Sequence, residues 1–354
     1  MSDSSGGEFE TLGGWPGLLR ELAAGRDLDP AYARAALGQV LEGSATDAQT
    51  AAFIFGLKVK GEAPAEIAGL VQAMLAAAAP LELDDPRATL DIVGTGGSRA
   101  LGGRAFNVST MAAIVAGGAG AKVCKHGNRK ASSTSGSTDL LEALGVEVDL
   151  DGPGVARCVR EAGVGFAFAR VFHPSMRFAA PVRAELGVPT VFNLLGPLAH
   201  PGQVGRQVVG VADPSLVNLV AESLLERGVE RAWIVNGDEL LDELTTTGVN
   251  SVVEVRAGQL TRFEIDASTH GMARTTNDEL GVGDPGENAR VARGILAGEP
   301  GPLRDMVVLN AAAGLVVADV AVDLDSGIEA AAASIDSGRA ATVLDSIIEV
   351  SRSA

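Results

Sequence analysis

The chain has 354 residues, 46% of them hydrophobic, and a formal net charge of −17. That length and apolar content predict two packed units with a buried core. The negative charge argues against nucleic-acid binding, because such affinity comes largely from Lys and Arg contacts to phosphates. An aromatic content of 4% also leaves few surfaces for base stacking. An anionic small substrate would need a locally basic pocket or a metal ion.

The cysteines and the N-terminal segment give no sign of a secreted or membrane protein. Cys124 and Cys158 are far apart and lack paired-ligand spacing, which favours buried free thiols over a disulfide or a zinc site. Residues 1–10 have no basic region followed by an apolar one, and no apolar run reaches the roughly 20 residues of a membrane span. We therefore expect a cytoplasmic protein.

The N-terminal part of the chain, residues 1–80, has the pattern of helices. An Asp-Pro pair at 29–30 is typical of an N-cap followed by proline in the first turn, and it predicts a helix over 30–41. A Thr-Asp pair predicts a second helix from 46 onward. A third helix is predicted over 64–79, where the next residue is a proline.

After a polar link at 82–87 the pattern changes to short apolar strands that alternate with helices. The predicted strands are 89–93, 121–124, 207–211, 232–235 and 251–255. The predicted helices are 109–117, 138–145, 287–297, 306–317 and 337–350. This alternation is typical of a mostly parallel central sheet covered by helices, so we expect an α/β fold joined to a small helical domain.

A glycine-rich turn, Gly94-Thr95-Gly96-Gly97, follows the first predicted strand directly. Glycines at that point let backbone N–H groups approach an anion closely, and ligands usually bind at this end of parallel strands. Asn107, Ser109 and Thr110 begin the next helix and add donors at the positive end of its dipole. The alternatives are a plain tight turn and a plain N-cap at Ser109.

A second donor cluster, Lys125-His126-Gly127-Asn128-Arg129, lies at the end of the strand predicted over 121–124. Hydroxyl side chains follow at 132–135 and at Ser137. Basic groups and hydroxyls gathered in an acidic protein favour an anionic ligand. The alternative is a solvated, flexible serine loop.

Four carboxylates, Asp238, Glu239, Asp242 and Glu243, follow the strand predicted over 232–235. Carboxylates this close repel one another, and a hard divalent cation that takes oxygen ligands relieves the repulsion. Magnesium with a phosphorylated substrate fits best. The alternative is a solvated acidic loop, and spacing alone does not say which pair would bind the metal.

A fourth group of polar residues lies in a largely apolar region. His173 begins H-P-S-M-R, Arg183 follows in P-V-R, and F-N-L-L-G-P-L spans 192–198. Arg183 has two interpretations: its stem packs while its head reaches water, or its guanidinium awaits a carboxylate. The residue types alone leave both open.

The motifs GTGG, N-V-S-T, K-H-G-N-R, H-P-S-M, P-V-R-x-E-L-G, F-N-L-L-G-P-L and D-E-L occur in this order and resemble anthranilate phosphoribosyltransferase over nearly the whole chain. K-H-G-N-R together with F-N-L-L-G-P-L is specific, whereas GTGG is not. The resemblance implies a helical domain at 1–86, joined by part of 184–205, and an α/β domain at 87–354 similar to that of pyrimidine nucleoside phosphorylases. It also implies a homodimer formed through the helical parts.

The resemblance implies magnesium-dependent transfer of the phosphoribosyl group of 5-phosphoribosyl-1-diphosphate (PRPP) to anthranilate, a step of tryptophan biosynthesis. The residues it implies for PRPP are Gly94, Thr95, Gly97, Ser98, Asn107, Ser109, Thr110, Lys125, Ser133 and Ser137. Those for anthranilate are Gly94, His126, Asn128, His173 and Arg183. Those for Mg²⁺ are Ser109, Asp242 and Glu243, with Asp238 and Glu239 not among the ligands. An arylamine is already nucleophilic, so we assign no general base.

The loop after the glycine-rich turn departs from the family pattern. Ser98 stands where the pattern has Asp, Ala105 stands where it has Thr, and the loop 98–105 is longer. These changes predict a more mobile cover over PRPP and weaker PRPP binding. Arg99 and Arg104 are candidates to replace the lost contacts, with solvated surface arginines as the alternative.

Three other functions are weighed against this one. Transfer to a different aromatic amine would follow if the divergent loop changes the acceptor. A nucleoside phosphorylase would use phosphate, and both Arg183 and the Asp242–Glu243 pair argue against it. A non-catalytic relative that binds a phosphorylated ligand or nucleic acid conflicts with the net charge and with the other motifs.

Overall fold

Five helices at the N-terminus share an apolar core with one face of the central sheet. The structure is a computed structural model that describes residues 4–96, 101, 104–129 and 135–354. The five helices are α1 (Ser4–Thr11), α2 (Gly14–Ala23), α3 (Pro30–Leu41), α4 (Asp47–Lys60) and α5 (Pro64–Ala76). Asp29 accepts the Ala31 N–H before α3, as the sequence predicts. Helix α4 begins after Thr46, also as predicted, and Thr46 forms a capping box with Gln49.

Helix α5 ends at Ala76, earlier than the predicted 79. The Ala79 N–H donates at 2.8 Å to the carbonyl of Phe172, a residue of the other half of the chain. That tertiary bond takes the place of another helical turn, because each N–H satisfies one acceptor at a time.

The central sheet has seven strands in the order β3-β2-β1-β4-β5-β6-β7. They are β1 (Leu90–Gly94), β2 (Val123–Gly127), β3 (Val164–Phe168), β4 (Arg206–Gly210), β5 (Arg231–Asn236), β6 (Val249–Arg256) and β7 (Gln259–Asp266). Strands β1 to β5 are parallel, and β6 and β7 pair antiparallel. The mostly parallel sheet is therefore confirmed, and β1, β2, β4 and β5 end at one edge, called here the carboxyl edge.

Strand β2 differs from its prediction in a way that matters for the site. It covers Val123–Gly127 rather than 121–124, so Lys125 and His126 lie within the strand and are buried. The ladder with β3 continues through both residues, which pair with Phe166 and Ala167. Lys125 and His126 are polar, so the apolar pattern of the sequence ends before them. They can be buried because the fold supplies hydrogen-bond partners that the local sequence does not show.

Helices cover both faces of the sheet. They are α6 (Val108–Gly118), α7 (Ser137–Leu144), α8 (Gly152–Ala162), α9 (Ala169–Phe172), α10 (Ala180–Leu186), α11 (Phe192–Leu198), α12 (Val217–Arg227), α13 (Asn277–Leu280), α14 (Pro285–Leu296), α15 (Pro302–Val317), α16 (Leu324–Asp336) and α17 (Arg339–Arg352). Leu90 and Ile92 of β1 face a core formed with α6 and α15, whereas Val93 faces the N-terminal helices and α11. The alternation of β1 between two cores follows from the two-residue period of a strand.

Two later helices return to the N-terminal helices: α10 packs on α4, and α11 packs on α5. The domain boundaries at 86, 87 and 184–205 stay predictions. Within the described parts of the chain, no helix has both the length and the apolar content to cross a membrane.

Candidate active site

The glycine-rich turn and the acidic cluster meet at the carboxyl edge. The Gly96 N–H donates to Asp242 Oδ2 at 2.8 Å. A β-carbon on Gly94 would collide with the Asp242 carboxylate, and one on Gly210 would collide with the Asp242 carbonyl. Only glycine at these strand ends allows the acidic residue to approach so closely. Two clusters that are far apart in sequence thus form one site.

Glu243 lies at the start of helix α6. The Ser109 backbone N–H donates to its carboxylate, so the three residues predicted for Mg²⁺ are brought together. Burial raises the pKa of Glu243 well above its ordinary value, and the charge of Asp242 raises it further, against the Ser109 N–H and Lys125. Two adjacent acids held in this way attract a cation.

The donor set fits magnesium bound together with a substrate. Among the described residues, no group of three or more His, Cys, Asp or Glu side chains is placed to hold a metal by itself. Asp242 and Glu243 supply two carboxylates, and Mg²⁺ is usually held by one or two carboxylates plus substrate phosphates. The remaining ligands would then come from the substrate and water.

Lys125 reaches the same edge from within β2. Its Nζ donates to the Ile92 carbonyl at 2.6 Å and lies near the charges of Asp91, Glu243 and Asp242. Burial lowers the pKa of Lys125, and those three acids oppose the shift. The amine is therefore held in a fixed position beside the acidic pair rather than on a flexible loop.

Residues at the start of α6 contact the C-terminal end of the serine loop, the name used here for the hydroxyl-rich segment 132–137. Asn107 Oδ1 accepts from Ser135 Oγ at 2.9 Å, and its Nδ2 donates to the Ser135 carbonyl at 3.3 Å. The Asn107 N–H donates at 3.1 Å to the side chain of Asn288, a buried residue of α14 that no sequence motif selects. The Thr110 hydroxyl is buried and has no hydrogen-bond partner in the described part of the chain.

The two ends of the serine loop are also tied to each other. Ser137 Oγ donates to the Asn128 carbonyl at 3.1 Å. Arg129 was grouped with the anion-binding residues, but its guanidinium binds Asp139 and Glu142 of α7. These two carboxylates tie the end of the loop to α7, and a role of Arg129 in binding an anion stays a prediction.

Several predicted residues fall on parts of the chain outside the described residues: Gly97, Ser98, Arg99 and Ser133. Thr95 is described, and its N–H donates to the Gly210 carbonyl at 2.9 Å, continuing the β1–β4 ladder. Arg104 is exposed, and its carbonyl accepts the Val282 N–H at 2.8 Å.

His126 and His173 lie side by side, with ring centroids 5.2 Å apart. His126 Nδ1 lies 3.1 Å from the Gly196 carbonyl, which can only accept, so Nδ1 carries the proton. A ring N–H of His173 donates to the Ala199 carbonyl. The Nε2 atoms of both rings are buried and have no partner among the described residues. Burial lowers the pKa of His126 well below its usual value and that of His173 to about 4, so both rings are neutral near pH 7.

A third histidine, His200, was not selected from the sequence. Its ring lies 5.7 Å from that of His126, its Nε2 donates to the Cys124 carbonyl at 2.8 Å, and its Nδ1 accepts the Gly202 N–H at 3.0 Å. Burial lowers its pKa to about 3. Because both nitrogens are used by the backbone, His200 supports the fold around the other two rings.

Arg183 on α10 stacks over the ring of Phe192, 5.1 Å from its centroid. Burial lowers the pKa of the Arg183 guanidinium. Within the described residues this guanidinium has neither a carboxylate within ion-pair distance nor a hydrogen bond. A partly desolvated arginine without a counter-ion is suited to a planar carboxylate ligand.

The loop that carries the acids has an unusual backbone. Glu239 and Leu240 have φ values of 57° and 64°, in the left-handed region. Asp238 accepts from Thr247 Oγ1 at 3.3 Å, and Glu239 contacts the side chain of Asn277. These two acids thus contact other side chains, whereas Asp242 and Glu243 accept from backbone N–H groups of the glycine-rich turn and of α6.

Two family models match the chain. The model described as "Glycosyl transferase family, a/b domain" matches residues 86–341, and "Glycosyl transferase family, helical bundle domain" matches 16–78. A curated relative from Roseiflexus castenholzii, named anthranilate phosphoribosyltransferase, is 48% identical over 94% of this chain and 96% of its own length.

Solved structures agree. A Thermus thermophilus anthranilate phosphoribosyltransferase has a TM-score of 0.88 and 42% identity, over 95% of this chain and 99% of its own. The Saccharomyces cerevisiae enzyme in complex with PRPP and Mg has a TM-score of 0.86 and 29% identity, over 96% and 98%. The same enzyme with 4-fluoroanthranilate has a TM-score of 0.85 and 28% identity, over 99% of both chains.

Proposed function

Because the chain belongs to the anthranilate phosphoribosyltransferase family, we propose that it transfers the phosphoribosyl group of PRPP to the amine of anthranilate. The bond from the ribose C1 to the diphosphate oxygen breaks, and a bond from C1 to the amine nitrogen forms. Diphosphate leaves, and one amine proton passes to solvent. The reaction belongs to tryptophan biosynthesis.

The observation that carries the choice of acceptor is Arg183, whose guanidinium stacks on Phe192 and has no carboxylate partner among the described residues. Anthranilate offers a planar carboxylate that accepts two parallel N–H bonds from such a group. His126 and His173 present neutral Nε2 atoms without a partner among the described residues, and such atoms accept hydrogen bonds from an amine. Neutral rings of low pKa are weak bases, and an arylamine that is already nucleophilic needs no stronger base.

The phosphate half of the proposed site consists of the glycine-rich turn, the start of α6, Lys125 and the ends of the serine loop. Backbone N–H groups there and the Lys125 amine stabilise charge on the departing diphosphate. Asp242 and Glu243 would hold Mg²⁺, which when bound neutralises part of that charge. The two halves together orient the amine behind the ribose carbon, so most of the rate enhancement comes from positioning and charge stabilisation.

The assignments of single residues, the cytoplasmic location and the homodimer are also proposals. The helical domain at 1–86, with part of 184–205, is supported by the packing of α11 on α5. A dimer through this domain is supported by Phe55 and Val59, which are 47% and 70% exposed on α4. Light scattering after gel filtration should give twice the mass of one chain, and a monomer at all concentrations would contradict the dimer.

The test of function is the loss of anthranilate fluorescence when the protein is mixed with PRPP, Mg²⁺ and anthranilate. We expect loss that requires all three components and stops with EDTA. Replacing PRPP by a nucleoside with phosphate should give no reaction. No loss at saturating PRPP, with turnover of another aromatic amine, would show that the loop 98–105 changes the acceptor; no turnover of any amine would contradict the proposal.

A further inference from the structure

The carboxyl end of α11 is held by four side chains from the α/β part of the chain. The carbonyl of Gly196 faces His126 Nδ1 at 3.1 Å, that of Pro197 accepts from Gln207 Nε2 at 3.0 Å, and that of Leu198 accepts from Arg227 Nη1 at 2.6 Å. The carbonyl of Ala199 accepts from His173. We call these four side chains, His126, His173, Gln207 and Arg227, the α11 clamp.

The clamp satisfies groups that a helix leaves open. The last carbonyls of a helix have no intrahelical partner, and a buried carbonyl without a partner is costly. Residues 197–199 are buried, so water does not serve them. Four consecutive carbonyls each find a different side chain, and this arrangement fixes both the position and the rotation of α11 on the sheet.

Arg227 and Gln207 form the part of the clamp that lies outside the predicted ligand site. Arg227 Nη2 also donates to the Val204 carbonyl at 2.9 Å and to Gln207 Oε1 at 2.6 Å. Gln207 is fully buried on β4, in register with Asp91 of β1, whose charge acts on Arg227. Among the described residues Arg227 forms no ion pair within 4 Å. Its guanidinium donates instead to the carbonyls of Leu198 and Val204 and to Gln207 Oε1.

The other end of α11 contacts Arg183, the residue proposed to bind the acceptor carboxylate. Phe192 is the first residue of α11, and Arg183 stacks on its ring. A helix of this length is a stiff spacer between the clamp and Phe192. A shift of its carboxyl end therefore moves the surface on which Arg183 rests.

We propose that Arg227 and Gln207 are positioning residues for the acceptor: by fixing the carboxyl end of α11 they set, through Phe192, where the Arg183 guanidinium meets the acceptor carboxylate. The inference rests on the proposed function of Arg183. It predicts that weakening the clamp affects the acceptor and spares PRPP, since within the described residues Arg227 and Gln207 form no hydrogen bond to the glycine-rich turn, α6 or the acidic pair. The connection to the PRPP side is the charge of Asp91, which acts on both Arg227 and Lys125, so the test variant has to keep the positive charge at 227.

The test is Arg227→Lys, which keeps the charge but cannot serve three oxygen atoms with a fork of donors. We expect the KM for anthranilate to rise by about 10-fold, the size of one lost charged hydrogen bond, with the PRPP dependence unchanged. The matched control is Arg231→Lys. Arg231 is also a buried arginine that donates to a helix-end carbonyl, but this carbonyl is that of Val316 in α15 and not one of α11. The control should lower the melting temperature and leave both KM values unchanged.

An unchanged anthranilate KM in Arg227→Lys, or an equal rise for both substrates, would overturn the proposal and leave Arg227 as a structural cap. If Arg227→Lys does not fold, Gln207→Met removes both the bond to Pro197 and the acceptor of Arg227 Nη2 at nearly constant size, and it should likewise raise the anthranilate KM. Titration of 4-fluoroanthranilate followed by fluorine NMR measures acceptor binding without turnover.

Failure of the proposed function looks different from failure of the clamp. If the native chain neither consumes anthranilate nor binds the fluorinated analogue, the proposed function fails. The clamp is then judged by amide hydrogen exchange at 192–199, which Arg227→Lys should accelerate and Arg231→Lys should not. Equal exchange in the two variants would refute the clamp itself.

Discussion

Charged side chains form ion pairs with one another where β4 and β5 begin, whereas two acids lie side by side at the carboxyl edge. At the edge where β4 and β5 begin, Arg231 binds Glu254 at 2.8 Å and Asp319 at 2.9 Å, and Arg206 binds Asp319 at 2.5 Å. At the carboxyl edge, burial and the charge of Asp242 raise the pKa of Glu243. Charged side chains that form ion pairs within the protein stabilise the fold. Buried acids that lie next to a like charge have shifted pKa values, which are typical of a functional site.

The largest expected effect comes from removing the acidic pair. Asp242→Ala with Glu243→Ala should lower magnesium-dependent PRPP binding by at least about 100-fold, because a metal ion contributes several kcal/mol of charge stabilisation. Calorimetry with and without Mg²⁺ measures it. The control with the same charge change is Asp238→Ala with Glu239→Ala, which should retain binding. Unchanged affinity and magnesium dependence in the first double variant would show that the pair is not the metal site.

At the opposite edge the expected effect is on stability. Arg231→Ala should lower the free energy of unfolding by about 3 kcal/mol, because it leaves Glu254 without its buried partner. Denaturant unfolding measures the change, and activity per folded molecule should stay the same. Arg256→Ala is the control, since Arg256 is exposed and 3.8 Å from Asp319, and it should change stability little. A large loss of activity in Arg231→Ala would break the contrast between the edges.

A smaller effect is expected at the acceptor arginine. Arg183→Ala should weaken anthranilate by about 10-fold to 150-fold, the range for a hydrogen bond to a charged group, with PRPP binding nearly unchanged. Steady-state kinetics with each substrate varied in turn measures both. Arg177→Ala is the control: Arg177 also lies over a phenylalanine ring, Phe178, but it is exposed. An equal loss for both substrates would identify Arg183 as a structural arginine.

The smallest expected effect concerns the backbone of the acidic loop. Leu240→Gly should raise the free energy of unfolding by about 0.5 to 1 kcal/mol. A left-handed conformation costs a non-glycine residue about 1 to 2 kcal/mol, which glycine avoids. Part of this gain is lost because glycine gives up more backbone entropy on folding. Leu240 is 57% exposed, so little packing is lost. The control is Val322→Gly, at 90% exposure without a positive φ, which should lose stability. A loss in both variants would mean that the loop is not strained.

The helical and strand elements were predicted well where local signals are strong. The predicted helix 30–41 has the bounds of α3, and 109–117 differs from α6 by one residue at each end. The predictions failed where long-range contacts decide: β2 was placed too early because Lys125 and His126 are polar, and the last turn predicted for α5 gives way to a bond with Phe172. Strand β7, with only one buried residue, shows too little apolar alternation to be predicted.

The sequence by itself determined which residue types are available: glycines after β1, an acidic pair, a hydroxyl-rich loop and a basic residue in an apolar stretch, in an order that indicates the family. Only the tertiary structure decided which of them meet. Asp242 reaches the glycine-rich turn because Gly94 and Gly210 leave room, Arg129 turns to α7, and α11 is fixed by Gln207 and Arg227, which no local pattern selects. The physical reason is that a buried polar group must find its partner in space, and the partner's position along the chain carries no local signal.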